Sequence, residues 1–449
     1  MHFSLYFCDP VLRAPTIGCM LMCLTAGLVG VLVFLRKQSL IGEALSHASY
    51  PGVIFGVLFT GIFFPLDYTD AIFSISILLG ATLSALAGLW TIHFLETRMK
   101  VASDAALCFT LSSFFGIGLT MVSEVQFSFT TLYKRASIYL YGQAATMTDI
   151  HIYIYGFLAL TVIFIIILFY SELQILTFDR AFAKSLGIHV HVMDVLIFTL
   201  LILAVIIGIR SVGVVLMSAM LIAPPVAARQ FTNRLSHLFI LSGLFGVISG
   251  FLGNYLSVEI TTLLTNYIPQ FKIVLPTGPM IVIVASCICF LSLLFAPERG
   301  FLLRAIRIGK FRYKCLCENL LKAIWRMGDQ TVVCFDRLHE QQSCSKIYLN
   351  FALHRMVKNG WLKKTDNGLY QLTRDGQLRA AKIVRLHRLW EVYLVDYMGV
   401  GTEKVHRNAE EMEHIITPEL EQQLMLLLND PKYDPHHQPI PPKVSSNVF

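Results

Sequence analysis

The fold class predicted from the sequence is an N-terminal all-α polytopic membrane domain of eight or nine transmembrane helices. It is joined to a C-terminal winged helix-turn-helix (α+β) and a helical metal-binding domain. Three observations carry this. Apolar runs of about 18–24 residues, long enough to cross a bilayer core, recur through residues 1–300. Past Gly300 the composition turns charged: residues 1–300 hold 14 Lys/Arg and 13 Asp/Glu, whereas residues 301–449 hold 22 and 16 in half the length. Between His387 and His414, His and Glu interleave at helical spacing. With 55% hydrophobic residues and a mean hydropathy of +0.64, an ordinary soluble protein is excluded.

The apolar runs fall near 14–35, 40–64, 71–95, 104–123, 150–170, 194–210, 212–228, 237–256 and 278–297. The boundary at Arg210 leaves the count at eight or nine. Residues Met1 to Leu5 lack the basic stretch of a secretory leader, so none is expected. The ten Cys form C-x-C pairs (Cys287/Cys289, Cys315/Cys317) and no CxxC, a spacing that predicts reduced packing cysteines rather than a zinc ribbon. In a nine-span arrangement Arg36/Lys37, Arg98/Lys100, Arg180/Lys184, Arg229/Arg234 and Arg299/Arg304 share one side, and Arg13, Lys134, Arg135, Arg210 and Lys272 the other. The larger basic set marks the cytoplasmic face. This places the N-terminus outside and residues 301–449 inside.

Two polar features interrupt the membrane half. In Gly42-Glu-Ala-Leu-Ser-His-Ala48, Glu43 and His47 are four apart and share a helix face inside the second span. Ionisable groups at that depth are costly and usually face a pathway or partner, here a divalent cation in transit; the alternative is a hydrated helix end. The segment 171–188 is amphipathic, ends in a glycine suited to a helix C-cap, and lies on the cytoplasmic side.

These motifs carry a resemblance. The G-E-A-L-S-H-A run with Pro51-Gly52, Tyr141-Gly142-Gln143, the E-L-x-x-L-T-F-D segment from Glu172, the run Val212 to Pro224, and Pro276-Thr-Gly-Pro279 occur in one order. Residues 10–300 thereby resemble the permease of metal-ion ABC importers of the zinc, manganese and iron group. The resemblance implies that Glu172, Leu173, Phe178, Asp179, Ala183, Leu186 and Gly187 form a coupling segment against a separate ATPase subunit, and that Glu43 and His47 line the metal path. It also implies a second permease copy or paralogue, an extracytoplasmic metal-binding protein, and a bacterial inner (cytoplasmic) membrane. No GxxxxGK[ST] phosphate loop occurs in the sequence, so ATP hydrolysis falls to another chain and no catalytic residue is expected here.

Residues 301–317 read as a basic linker, and 318–380 as the winged-helix domain. Helices are expected over 318–327, 332–340 and 346–358, the last with Leu349, Leu353 and Met356 on one face. Residues 361–373 alternate around Asn367-Gly368, a hairpin signal. Residues 301–388 carry 18 Lys/Arg against 6 Asp/Glu, and residues 389–449 carry 4 against 10. A basic winged helix suits double-stranded DNA, and the candidate contacts are Lys346, Tyr348, Asn350, Arg355, Lys358, Lys363 and Lys364. In the acidic part, His387/Glu391 and His406/Glu410 are i,i+4 pairs, with Glu413 and His414 one turn further on. Two helices facing each other could present six N/O ligands without a thiolate, a set suited to Fe²⁺ or Mn²⁺.

The runs R-M-V-K-N-G-W at 355–361, L-T-R-D-G at 372–376, H-R-L-W-E at 387–391, V-H-R-N-A-E-E-M-E-H at 405–414 and Asp434 to Pro441 resemble the diphtheria-toxin-repressor family of metal-dependent repressors. The resemblance implies that residues 381–441 form a metal-binding and dimerisation domain, giving a C-terminal homodimer on an operator. It further implies one metal site at His387, Glu391 and His406 and another at Glu410, Glu413 and His414. Glu410 stands where the iron-sensing branch has Cys, the first-helix ligand aligns near Asn319, the start of the recognition helix departs from the family, and the appended SH3-like domain of longer relatives is not expected after Pro441. Permease and repressor in one chain resemble the arrangement of chlamydial metal-uptake systems. Such a tethered repressor raises the expectation of proteolytic release within 301–317. The alternative reading is a metal-sensing domain that regulates transport without binding DNA.

Overall fold

The computed structural model describes residues 4–63, 70–128, 133, 139, 142–267, 274–297, 299–328, 332–342 and 344–443. Lys134, Arg135, Tyr141 and Lys272 lie outside the described residues. The chain forms two compact units, Met1–Leu303 and Arg304–Phe449.

The first unit is helical: α1 Leu5–Cys8, α2 Pro10–Leu35, α3 Ser39–Phe63, α4 Asp70–Thr97, α5 Ser103–Ser128, α6 Asp149–Leu168, α7 Tyr170–Phe178, α8 Arg180–Ser185, α9 Val190–Val212, α10 Met217–Arg229, α11 Leu235–Tyr267 and α12 Thr277–Phe295. Where no water can reach, a helix satisfies its own backbone groups, and long apolar runs take that form. Among the described residues, eight helices (α2 to α6, α9, α11 and α12) are long and apolar enough to span a membrane. The run expected at 212–228 becomes α10, whose 13 residues rise only about 20 Å. Gly213, at φ 96°, ends α9 ahead of it.

Small residues let the helices approach closely. α2 packs against α6, α9, α10 and α11, and α3 against α4 and α5. A Cβ on Gly52 would sit 2.0 Å from the Gly80 carbonyl oxygen, and one on Gly80 2.2 Å from that of Gly52. Polar side chains tie the same seams. Ser242 Oγ donates to the Gly27 carbonyl (2.8 Å), Asn254 Nδ2 to Thr16 Oγ1 (2.8 Å), and Ser84 Oγ to the Ala48 carbonyl (2.6 Å).

The second unit follows the predicted order. It contains α13 Phe301–Arg326, α14 Phe335–Glu340, α15 Lys346–Lys358, strands β1 Leu362–Lys364 and β2 Tyr370–Leu372, α16 Arg374–Asp396, α17 Thr402–Met412 and α18 Pro418–Leu427. α13 begins at Phe301, three residues before the boundary, and runs on into the second unit. The segment expected as a linker is therefore helical, its residues 301–312 exposed and its apolar face buried only from Leu316 onward. The helix expected from Val332 starts at Phe335, because β-branched Val333 instead pairs with Tyr370 as a bridge. Leu349, Leu353 and Met356 are fully buried against Leu320, Leu338, Leu362 and Ile383. Gly368 turns the hairpin at φ 76°. Thr373 caps α16 by accepting from the Gly376 amide at 3.1 Å.

The Gly52–Gly80 contact predicts that Gly80→Val, which overpacks the α3–α4 seam, lowers the melting temperature of detergent-purified protein by several degrees and broadens its size-exclusion peak. Overpacking typically costs about 1–3 kcal/mol. Gly116→Val, with nothing within 4 Å of a Cβ, is expected to change neither.

Candidate metal centre

Two helices and a loop build the centre in the second unit. His387 and Glu391 sit one turn apart on the buried face of α16, which also carries Ile383 and Val384. α17 buries Val405 and Ala409 against it and brings up His406. The ring nitrogens of His387 and His406 and a carboxylate oxygen of Glu391 lie within 4.8 Å of one another. Glu391 Oε1 is 3.2 Å from His387 Nε2 and also contacts His406 Nδ1, and the two ring nitrogens are 3.4 Å apart. Glu391 is wholly buried, and its Oε2 has no hydrogen-bond partner among the described residues. Two imidazole nitrogens and a carboxylate oxygen, all lone-pair donors, can converge this closely only around protons or a cation. The donor set thus fits a divalent metal, which His387, Glu391 and His406 would hold.

The loop after α18 covers this group. Asp434 Oδ1 accepts from the amides of His436 and Gln438 (2.9 and 2.8 Å), its Oδ2 pairs with Arg388 (3.3 Å), and the His436 ring stacks on His406 at 4.7 Å. Buried Arg385 fixes α16 to the following elements, donating to Glu421 Oε1 (3.1 Å) and the Pro441 carbonyl (2.6 Å).

The second expected ligand set is arranged differently. Glu413 turns one oxygen to His387 Nδ1 (2.6 Å) and the other to Lys322 Nζ (2.6 Å), while Glu410 lies 3.6 Å from the same lysine. His414 Nδ1 meets Glu318 Oε2 at 2.6 Å, and its carbonyl accepts from Lys314 at 3.3 Å. Lys314, Glu318 and Lys322 are spaced four apart along one face of α13. Sequence reasoning passed over Lys322 and His436: a lone lysine in an amphipathic helix carries no signal of its target, and His436 lay inside a quoted motif without a role.

Burial raises the Glu413 pKa, but its hydrogen bond to His387 and the Lys322 charge outweigh that and hold it below the usual carboxylate range. Glu391 is lowered in the same way, burial being overcome by His387 and His406. Burial alone would lower His387, yet hydrogen bonding to Glu391 and Glu413 raises it.

On the winged portion, Lys346, Asn350, Arg355, Lys358, Lys363 and Lys364 are exposed and Tyr348 is half-buried. The Arg355 guanidinium lies over the rings of Tyr313 (6.0 Å) and Phe351 (5.8 Å), and Lys364 over Tyr370 (5.8 Å).

In the membrane unit, His47 is buried in α3 with its ring edge-on to Phe115 at 4.6 Å, and its Nδ1 has no hydrogen-bond partner among the described residues. Glu43, one turn earlier, is half-buried. The 172–187 segment forms α7 and α8. Asp179 caps α8 by accepting from the Ala181 and Phe182 amides (both 2.9 Å), and Gly187 turns out at φ 79°. Leu173, Leu176 and Ala183 face inward, whereas Phe178, Phe182 and Leu186 form an exposed apolar stripe. Arg36, at 2.9 Å, and Arg180 both pair with Asp194 at the start of α9 and anchor the segment.

A polytopic permease with an appended metal-binding winged unit is a transport subunit fused to a metal-dependent regulator. The chain belongs to the ABC 3 transport family, matching it over residues 9–296, and residues 373–442 match the iron dependent repressor, metal binding and dimerisation domain. It is similar to a probable metal transport system membrane protein of Chlamydia trachomatis serovar D, 36% identical over 98% of each chain, so both units are shared. It is also similar to the manganese transport system membrane protein MntC of Bacillus subtilis, 32% identical over 86% of this chain and 84% of that one. Among solved structures, PsaBC from Streptococcus pneumoniae in complex with Fab matches with a TM-score of 0.53 and 25% identity, over 67% of this chain and 96% of that one.

The raised His387 pKa gives a signed prediction. Near neutral pH part of the metal-free protein carries a proton there that a metal must displace. Metal binding therefore releases protons, and affinity falls as pH drops. Calorimetry of Mn²⁺ binding in two buffers of different ionisation enthalpy should show net proton release; identical heats would contradict it.

Proposed function

We propose that the chain is the permease of an ATP-driven importer of a divalent metal, manganese or iron with zinc as a third cargo, and that its C-terminal unit is a repressor activated by Fe²⁺ or Mn²⁺. The observation that carries this reading is the convergence of His387, Glu391 and His406 in a chain whose other unit is an ABC 3 permease. The ion is cargo in one unit and signal in the other.

In the membrane unit, Glu43 and His47 offer a carboxylate and an imidazole to the passing ion, and the unpartnered His47 Nδ1 supports this role. The Phe178–Phe182–Leu186 stripe is the face for a separate ABC ATPase, with Glu172, Leu173, Asp179, Ala183 and Gly187 shaping the segment behind it. Two permease copies, or this chain with a paralogue, complete the channel, and an extracytoplasmic metal-binding protein delivers the ion. With α10 as a short ninth passage, the basic loops and the C-terminal unit lie in the cytoplasm of a bacterium and the permease in its inner membrane.

In the C-terminal unit, His387 and Glu391 of α16 and His406 of α17 would hold the ion, whose charge would neutralise the buried carboxylate. The unit dimerises and sets α15 in the major groove of a double-stranded operator. Lys346, Tyr348 and Asn350 lie at the start of that helix, Arg355 and Lys358 further along it, and Lys363 and Lys364 on the wing. The charge balance, basic through residue 388 and acidic beyond, supports this division of labour. Release of the regulator by cleavage within 301–317 requires local unwinding of α13, whose first turns are exposed. An immunoblot that finds only full-length chain in metal-rich and metal-poor cells would count against release.

Two experiments test the reading. Residues 304–449 should retard upstream DNA of the transport genes only with Mn²⁺ or Fe²⁺, and Lys363→Glu with Lys364→Glu should abolish the shift. Metal-independent absence of binding would favour a sensor that gates transport alone. In cells, Glu43→Gln with His47→Ala should reduce radiolabelled Mn²⁺ uptake to near background. Phe178→Ser with Phe182→Ser should prevent co-purification of an ATPase subunit.

A further inference from the structure

The residues expected to form a second metal site do not close around a vacancy. Lys322 reaches them from α13, 5% exposed, with its Nζ 2.6 Å from Glu413 Oε1 and 3.6 Å from Glu410 Oε1. His414 has its Nδ1 on Glu318 and its Nε2 3.7 Å from Glu413 Oε1. Among the described residues, the metal-competent convergence is the His387–Glu391–His406 group, and the Glu410–Glu413–His414 set makes none. A divalent ion entering that set would have to expel a buried ammonium or sit beside it, and like charges at such range repel strongly in a medium of low dielectric.

We propose that Lys322 is the resident cation of the Glu410–Glu413–His414 cluster. Each C-terminal unit then takes one divalent ion, at His387, Glu391 and His406, and the Lys322–Glu413 pair orients His387 toward it.

The positioning follows from the same bonds. An ion held by His387 Nε2 leaves the ring proton on Nδ1, and Glu413 Oε2 stands 2.6 Å away to accept it. Glu413 is in turn held by Lys322 through its other oxygen. Such partners behind a metal-bound imidazole fix its tautomer and tilt. Because Lys322 belongs to α13, the first helix of the winged portion, filling one metal site acts on that helix through a single chain of hydrogen bonds. An internal lysine thus replaces a second ion as the link between metal and winged helix.

This inference rests on the reading of His387, Glu391 and His406 as a metal centre, and a count of ions separates the two. The full-length chain in nanodiscs, carrying Glu43→Gln and His47→Ala so that only C-terminal ions are counted, is loaded with Mn²⁺, desalted, and measured by elemental analysis and EPR. The expected result is one Mn²⁺ per chain with an uncoupled spectrum. Lys322→Arg should keep that count. Lys322→Glu should admit a second ion and produce a spin-coupled pair. Glu413→Gln should keep one ion and weaken its binding by about 10- to 100-fold, as loss of an outer partner does.

Two coupled ions in the Lys322 protein would overturn the inference, as would a folded Lys322→Glu protein that still binds one. No ion at all in the Lys322 protein would overturn the metal-centre reading instead. The Lys322 count decides the matter even if Lys322→Glu fails to fold.

Discussion

The buried carboxylate of Glu391 is the constraint on which the C-terminal unit depends. A carboxylate withdrawn from water is costly unless it is paired, and removing one partner of such a buried group destabilises by about 3–5 kcal/mol. Glu391 has two ring nitrogens beside one oxygen and no hydrogen-bond partner among the described residues for the other. α16 supplies the carboxylate, α17 supplies His406, and the loop held by Asp434 packs His436 over that ring. Arg385, clamped by Glu421 and the Pro441 carbonyl, keeps these elements in register. Folding and the proposed metal chemistry would therefore share the same atoms, and an ion that satisfied Glu391 would also stabilise the arrangement of α16 and α17.

The membrane unit depends on a different constraint, the absence of water for its backbone. Long helices answer it, and glycine-to-carbonyl approaches such as Gly52 with Gly80 let them pack without polar glue at every seam. That tight α3–α4 contact fixes the face on which His47 and Glu43 stand. For the proposed ion pathway, a rigid helix with a buried imidazole would suit brief binding and release, since a loop at the same position would leave backbone groups to compete for the ion.

Much of this was legible in the residues. The eight long helices follow from apolar length alone, and Leu349, Leu353 and Met356 declared the core face of α15 by their spacing. The hairpin declared itself through Asn367-Gly368. Where the reading and the structure part, some causes are local and some tertiary. α10 is shorter than the run expected over 212–228, with Gly213 ahead of it and two prolines inside. Val333 left its predicted helix to pair with Tyr370. The segment 301–317 read as a basic linker, yet α13 starts at Phe301 because local propensity carries a helix beyond its buried stretch. The pairing of Glu413 with Lys322 joins residues 91 apart in the chain, and no local periodicity encodes it.

The exposed stripe of Phe178, Phe182 and Leu186 has a consequence for how the protein is made. In the proposed assembly, a permease copy that had found its ATPase would bury these side chains, and one that had not would leave them exposed. Chaperones and proteases bind such apolar surface, so the same three residues would report whether a subunit is orphaned. The stock of importer would then be set by the scarcer subunit, since surplus permease, with the regulator it carries, would be cleared in proportion to its excess.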